Sequence, residues 1–167
     1  MTHLGPLMSS VRGDWNTPGC VLERVRRVAP IDLDPCSNAA SIVNAAVEWH
    51  LERDGDSLRR DWMCTPGLLI YVNPPYGRDI GTWVARCAGT AIGIGPSAVV
   101  ALIPARTDTA WWHRYATTAD AICFWRGRLT FLGAAQGAPV PSAVAYWGPC
   151  RATFRREFCD AGWIVKP

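Results

Sequence analysis

An apolar run, Leu68-Leu69-Ile70-Tyr71-Val72, ends abruptly at Asn73-Pro74-Pro75-Tyr76, and Gly77 follows at once. Neither proline has an N–H to donate and both have a fixed φ, so two in succession cannot extend a helix or a central sheet ladder. The run therefore predicts a buried strand over 68–72 that stops at a rigid turn. Such a stop presents a side-chain amide, free backbone carbonyls and an aromatic ring at the edge of a sheet. Those groups suit a planar amine held by its hydrogens. An exocyclic ring amine is a poor nucleophile because its lone pair is delocalised, and two acceptors on its two N–H groups favour the pyramidal, charge-developing form. Asn73 Oδ1 and the Pro74 carbonyl are candidate acceptors, Pro75 stiffens the turn, and Tyr76 can stack on the ring face. The other reading of these four residues is an ordinary turn after a strand.

The 167-residue chain is 49% hydrophobic and 19% charged, a globular rather than a disordered balance. One domain with a real core is expected at this length, with residues 1–13 as a flexible arm and 14–167 as a single domain. No apolar run is long enough for a membrane span, and the first residues carry no basic-then-apolar export pattern. Seven scattered cysteines include no Cys-x-x-Cys pair, which argues against a zinc site and a disulfide framework and for a reducing cytoplasm, bacterial or phage-infected. Net charge is +3, with sixteen arginines against one lysine, Lys166. Arginine suits phosphate contacts, but a GC-rich coding bias is the main explanation of that ratio, so the charge permits nucleic-acid binding without demonstrating it.

Thr17 reads as an N-cap and Pro18 as the first residue of a helix carrying Val21, Leu22, Val25 and Val28 on one face. A short strand is expected at 31–35, a short helix at 39–46, and a strand from Val47 through Leu51. After the 68–72 strand come a helix over 79–91, a strand over 97–103 and a helix capped by Asp108 and carrying Trp111, Trp112 and Tyr115. Strands at 121–125 and 142–147, a helix over 151–159 and a last strand at 163–165 complete the pattern. That order implies an α/β sheet, mostly parallel, closing with a C-terminal antiparallel pair.

Seven motifs stand in one order: Asp-Trp-Asn-Thr-Pro at 14–18, Asp-Leu-Asp-Pro-Cys-Ser at 32–37, Asp-Ser-Leu-Arg-Arg-Asp-Trp at 56–62, Val-Asn-Pro-Pro-Tyr-Gly at 72–77, Ala-Leu-Ile-Pro-Ala-Arg-Thr-Asp-Thr-Ala-Trp-Trp-His at 101–113, Gly-Arg-Leu-Thr-Phe at 127–131 and Pro-Ser-Ala at 141–143. In this the chain resembles the amino-methyltransferases that use S-adenosylmethionine, and more closely the compact phage-type DNA N6-adenine methyltransferase family (Dam-like). The resemblance implies a reduced Rossmann-like class I methyltransferase sheet. It implies cofactor contacts at Asp14, Trp15, Thr17, Pro18, Asp34, Pro35, Asp56 and Asn73. Thr17 at a helix start would meet the methionine carboxylate, Asp34 its ammonium group, and Asp56 the cofactor's adenine amine. It places catalysis on Asn73, Pro74, Pro75 and Tyr76, and substrate contacts on Arg106, Thr107, Trp111, Arg128 and Phe131. Each also has a plainer reading: an N-cap for Thr17, an Asp-Pro turn for Asp34, a solvated turn for Asp56, a hairpin tip for Arg128.

The pattern also departs from larger relatives. Their Phe-x-Gly-x-Gly loop is replaced by Asp34-Pro35-Cys36-Ser37, and Asn73 follows too soon for a full cofactor half. No segment is large enough for a separate target-recognition domain, so low or short sequence specificity is expected, or specificity supplied by a partner such as a second copy in a homodimer. The implied reaction is direct methyl transfer to a flipped adenine in DNA, with no metal. Another planar amine, such as cytosine N4 or a glutamine amide, and a non-catalytic DNA-binding protein that keeps the fold are the alternatives.

Overall fold

The computed structural model describes residues 15–62, 69–91 and 98–166. The expected arm and Asp14 lie outside them. Seven strands form one sheet in the order β2-β1-β3-β4-β6-β5-β7, where β1 is Leu33–Ser37, β2 Val47–His50, β3 Leu69–Val72, β4 Ala98–Pro104, β5 Ala121–Trp125, β6 Ser142–Trp147 and β7 Gly162–Val165. The helices are α1 (Gly19–Val28), α2 (Leu51–Asp54), α3 (Ile80–Ala91), α4 (Ala110–Arg114) and α5 (Arg151–Phe158).

β1 to β4 pair in parallel. β6 runs antiparallel to both β4 and β5, and β7 runs antiparallel to β5. The expected antiparallel pair is thus extended to three antiparallel ladders. The chain builds outward from β1 to β2, then crosses back to start β3 on β1's other side. The sheet is covered on both faces. α1 and α5 pack one face, where Val21, Leu22, Val25, Tyr71, Leu102, Tyr146, Phe154 and Phe158 are buried together. α3 and α4 pack the other, around Trp62, Ile70, Val72, Trp83, Val99, Ile103 and Trp112.

Two local features shape what happens at the strand ends. The first is Pro35 in the middle of β1. It has no N–H for a ladder, and β1 meets β3 through one register pair only, Leu33 with Ile70. The β1–β2 register also shifts between Asp34 and Ser37. β1 therefore parts from β3 just where Asp34 and Asn73 emerge on either side.

The second is Gly162, which pairs with Trp125. A β-carbon placed on Gly162 would overlap the Phe124 carbonyl oxygen, so the β5–β7 approach requires glycine. Gly162→Ala should cost roughly 1–3 kcal/mol, as overpacking does. Thermal unfolding should show that as a Tm several degrees lower, and an unchanged Tm would mean that β7 moves aside freely. Next to it Trp163 is 71% exposed, its ring stacked on Phe124 at 5.9 Å between centroids.

Three expectations need correction. Asp108 does not cap α4: Thr109 holds its N-cap position, without a side-chain cap bond, and Tyr115 is its C-cap. Residues 39–46 form no helix but an irregular segment with turns, in which the Asn38 and Ser41 side chains bond the Ala40 and Val43 N–H groups. Thr17 does not cap α1: Pro18 holds the N-cap position, and the Thr17 hydroxyl is drawn instead to a buried tyrosine hydroxyl. Among the described residues no helix is long and apolar enough to cross a membrane.

Candidate active site

A hollow of about 280 Å³ lies at the carboxyl ends of β1, β2 and β3, between the parted strands. Its lining includes Trp15, Asn16 and Thr17 from the segment before α1, Asp34, Cys36, Ser37 and Asn38 from β1 and its loop, Leu51 and Glu52 after β2, and Asn73 and Pro75 after β3.

Asn73 is half-buried at the end of β3. Its Nδ2 donates to the Trp15 backbone carbonyl at 2.6 Å. No described residue donates to its Oδ1, which leaves the acceptor end of the amide available to the hollow. The carbonyl of the buried Pro74 likewise accepts from no described residue, whereas that of Pro75 is bonded by Gly77 N–H at 3.1 Å.

Asp34 is 3% exposed and lines the same hollow. Its Oδ1 accepts from Cys36 N–H at 3.0 Å, and the Cys36 thiol bonds the same carboxyl group. Burial, with the Glu48 carboxylate on the adjoining strand adding to it, pushes its carboxyl up to about 7. A buried carboxylate that lacks a cationic partner is what a positively charged ligand group would complete. Burial likewise drives the Cys36 thiol well up, which keeps it a neutral wall of the hollow rather than a nucleophile.

An aromatic wall stands beside the turn. Tyr76 packs edge-on to Phe131 at 6.0 Å and tilted to Trp15 at 6.1 Å, and Trp15 lies 5.0 Å from Phe131. The Tyr76 hydroxyl points to the Leu102 carbonyl at 3.4 Å, and burial holds its phenol in the neutral form. Phe131 is 2% exposed, so it backs this wall rather than offering open surface of its own.

A comparison with family models then decides the family, because the model for DNA N-6-adenine-methyltransferase (Dam) matches residues 6–146. The chain belongs to the Dam family. Membership implies a DNA adenine methyltransferase, with DNA as its substrate. Neither a curated protein nor a solved structure matches the chain.

Within this Dam-family chain the residues expected from sequence divide into two groups. Trp15, Thr17, Asp34, Asn73 and Pro75 come together around the hollow, while Pro18, Pro35 and Pro74 are buried and not among its lining residues, and Tyr76 belongs to the aromatic wall. Asp56 stands apart: it is exposed, caps the 3-10 turn Ser57–Arg59 through Leu58 N–H at 3.1 Å, pairs with Arg59 at 3.2 Å, and is not among the lining residues. Arg106, Thr107 and Trp111 follow β4 near its carboxyl end without lining the hollow, and no described residue pairs with the Arg106 guanidinium. Arg128 is exposed, with a long contact of 3.5 Å to the Ala138 carbonyl.

Glu52 and Asn38 are among the lining residues that the reading of the sequence passed over. Asn38 directly follows β1 and Glu52 comes two residues after β2, on the side where open α/β sheets bind ligands, and that rule, applied to β2 as well as β1, would have found them. Among the described residues no cluster of His, Cys, Asp and Glu could hold a metal ion.

Proposed function

We propose that this protein methylates adenine N6 in DNA by direct transfer from S-adenosylmethionine, on a reduced class I methyltransferase sheet. The order β2-β1-β3-β4 supports that fold reading. The strand order reverses between β1 and β3, and in doubly wound sheets the ligand crevice lies at such a switch point.

The residues present suit that cofactor. Asp34 offers a buried carboxylate with no cationic partner among the described residues to the ammonium of the methionine part, and Glu52, exposed at the rim, is placed to accept from ribose hydroxyls. Thr17, its hydroxyl already engaged, contributes shape beside the α1 N-terminus. Bound S-adenosylmethionine supplies a methyl group made electrophilic by its sulfonium.

The chain's own groups act on the nucleophile. Asn73 Oδ1 and the Pro74 carbonyl accept the two N–H groups of the adenine amine, which localises its lone pair on N6 and aims it. The Trp15, Tyr76 and Phe131 wall supplies the apolar face on which a flipped base can lie and keeps water from it. The N6 proton is lost to water after the new N–C bond forms, so no side chain need serve as a strong base. The single observation that carries this reading is the Asn73 amide, fixed through Nδ2 with Oδ1 free, beside a hollow that holds a buried aspartate.

Incubation with methyl-labelled cofactor and DNA, followed by digestion to nucleosides, should put the label in N6-methyladenine. Label in N4-methylcytosine or in protein amides would replace the substrate assignment, and binding of DNA without any transfer would point to a non-catalytic role.

The Arg106 guanidinium, unpaired among the described residues, suits a DNA phosphate next to the target nucleotide. Arg106→Ala should weaken DNA binding similarly for all sequences and lower the slope of log K against log salt by about 1. An unchanged slope would remove Arg106 from the phosphate contacts.

A further inference from the structure

We infer that the segment Trp15–Thr17 is a positioning strap that selects which end of the Asn73 amide faces the hollow, and that Tyr71 and Thr17 hold the strap in place. The inference rests on the proposed adenine reaction. An amide is nearly symmetric in shape, but its two ends have opposite hydrogen-bonding sense. A ring amine brings two donors. Oδ1 can receive one of them, whereas Nδ2 in the same place would set N–H against N–H.

Something must therefore fix the flip, and a backbone carbonyl does so because it can only accept. Trp15 C=O takes Nδ2 at 2.6 Å and leaves Oδ1 for the substrate. The strap is itself tied on three sides. The Asn16 carbonyl accepts Leu132 N–H at 2.9 Å, Asn16 Oδ1 accepts Asn38 Nδ2 at 2.8 Å, and the buried Thr17 hydroxyl lies 2.8 Å from the Tyr71 hydroxyl. Tyr71 is on β3, two residues before Asn73. The strand that ends in the turn thus also anchors the group that orients the turn's amide. Tyr71 and Thr17 act through the strap on Asn73, as positioning residues.

The strap makes position 73 selective for an amide. An aspartate there would face a carbonyl oxygen with a carboxylate oxygen. Protonated, the same side chain could donate O–H to Trp15 and still offer its other oxygen to the amine. Asn73→Asp should therefore be at least 100-fold slower than wild type at pH 8 in single-turnover methyl transfer, and its rate relative to wild type should climb as pH falls toward 5.5. Tyr71→Phe, which keeps the ring and its packing, should slow single turnover by about 5- to 10-fold at saturating DNA and cofactor, with both dissociation constants within twofold of wild type.

A second measurement is independent of activity. In ¹⁵N-labelled protein the Asn73 Nδ2 protons should exchange slowly with solvent, and Tyr71→Phe and Thr17→Val should each speed that exchange by tenfold or more. The strap is refuted by Asn73→Asp running at the wild-type rate at pH 8, or by Nδ2 exchange that both hydroxyl variants leave unchanged. Faster exchange in both variants, combined with a wild-type protein that methylates no adenine, would uphold the strap and reject the reaction assigned to the site.

Discussion

Asn73→Ala should slow single-turnover methyl transfer to adenine by about 10²- to 10³-fold, the loss typical of removing one preorganised group that meets charge developing in a transition state. The step is limited by the amine's reluctance to offer its lone pair, so losing one of two acceptors strikes the barrier itself. Cofactor binding should weaken far less. Asn73 is one of many lining groups, and alanine leaves Asp34 and the walls intact. Stability should also fall little, because the truncated amide is half-buried and its one hydrogen bond is to a strap with three other ties. The diagnostic result is a large drop in rate with cofactor affinity held within a few-fold. A variant that transfers at the wild-type rate would show that the amine is activated elsewhere.

The second large effect concerns Asp34. Its carboxyl stands at about 7 in the folded chain, raised first by burial and then by Glu48, against an ordinary value of 3.8. The folded state thus holds a proton that the unfolded chain releases. The sign follows: the stability from that proton is complete below pH 3.8 and is lost as pH rises through about 7. At about 1.4 kcal/mol per pH unit, the loss amounts to roughly 4 kcal/mol for a ligand-free protein. Asp34→Asn should therefore be more stable than wild type at pH 8 and nearly equal to it at pH 4.

An ammonium group placed against Asp34 reverses the preference, because it favours the ionised form. Affinity for S-adenosylmethionine should then strengthen by close to tenfold per pH unit between about pH 5 and 7, with a proton released on binding near pH 6. Calorimetry in two buffers of different ionisation enthalpy reads that proton directly. In Asp34→Asn both the proton release and the pH slope should vanish, with affinity reduced by about 100-fold at pH 7.5. Identical binding enthalpies in the two buffers at pH 6 would place the ligand's cation away from Asp34.

The parts of this fold that could be read in advance are those with local causes. β3 and its stop follow from an apolar run meeting two prolines, and β5 and β6 match their expected bounds, 121–125 and 142–147, because both are short apolar runs flanked by turn residues. α3 begins one residue after the expected start, since Asp79 and Gly77 supply the carbonyls for its first turn. The misreadings arise where a distant partner outbids a local preference. Thr17 looks like a cap from its neighbours alone, yet it is claimed by Tyr71 from across the fold. The Ala-rich 39–46 segment has helix-forming residues, but Asn38, Ser41 and Asn44 break it, and Asn44 adopts a positive φ of 50°. Phe131 reads as a substrate contact, while the structure turns it inward against Trp15 and Tyr76. Residues of the site were recognisable by chemical type at Asn73 and Asp34. The orientation of the Asn73 amide was not, because it depends on a main-chain oxygen, and every residue has one of those.

Gly162 carries a consequence for descent. Every substitution at that position adds at least a β-carbon, and each would strike the Phe124 carbonyl on the neighbouring strand. A lineage can leave glycine here only if β7 has first drifted from β5 or been shed from the sheet's rim. The last strand is therefore inherited with this glycine, displaced from β5, or lost as a whole.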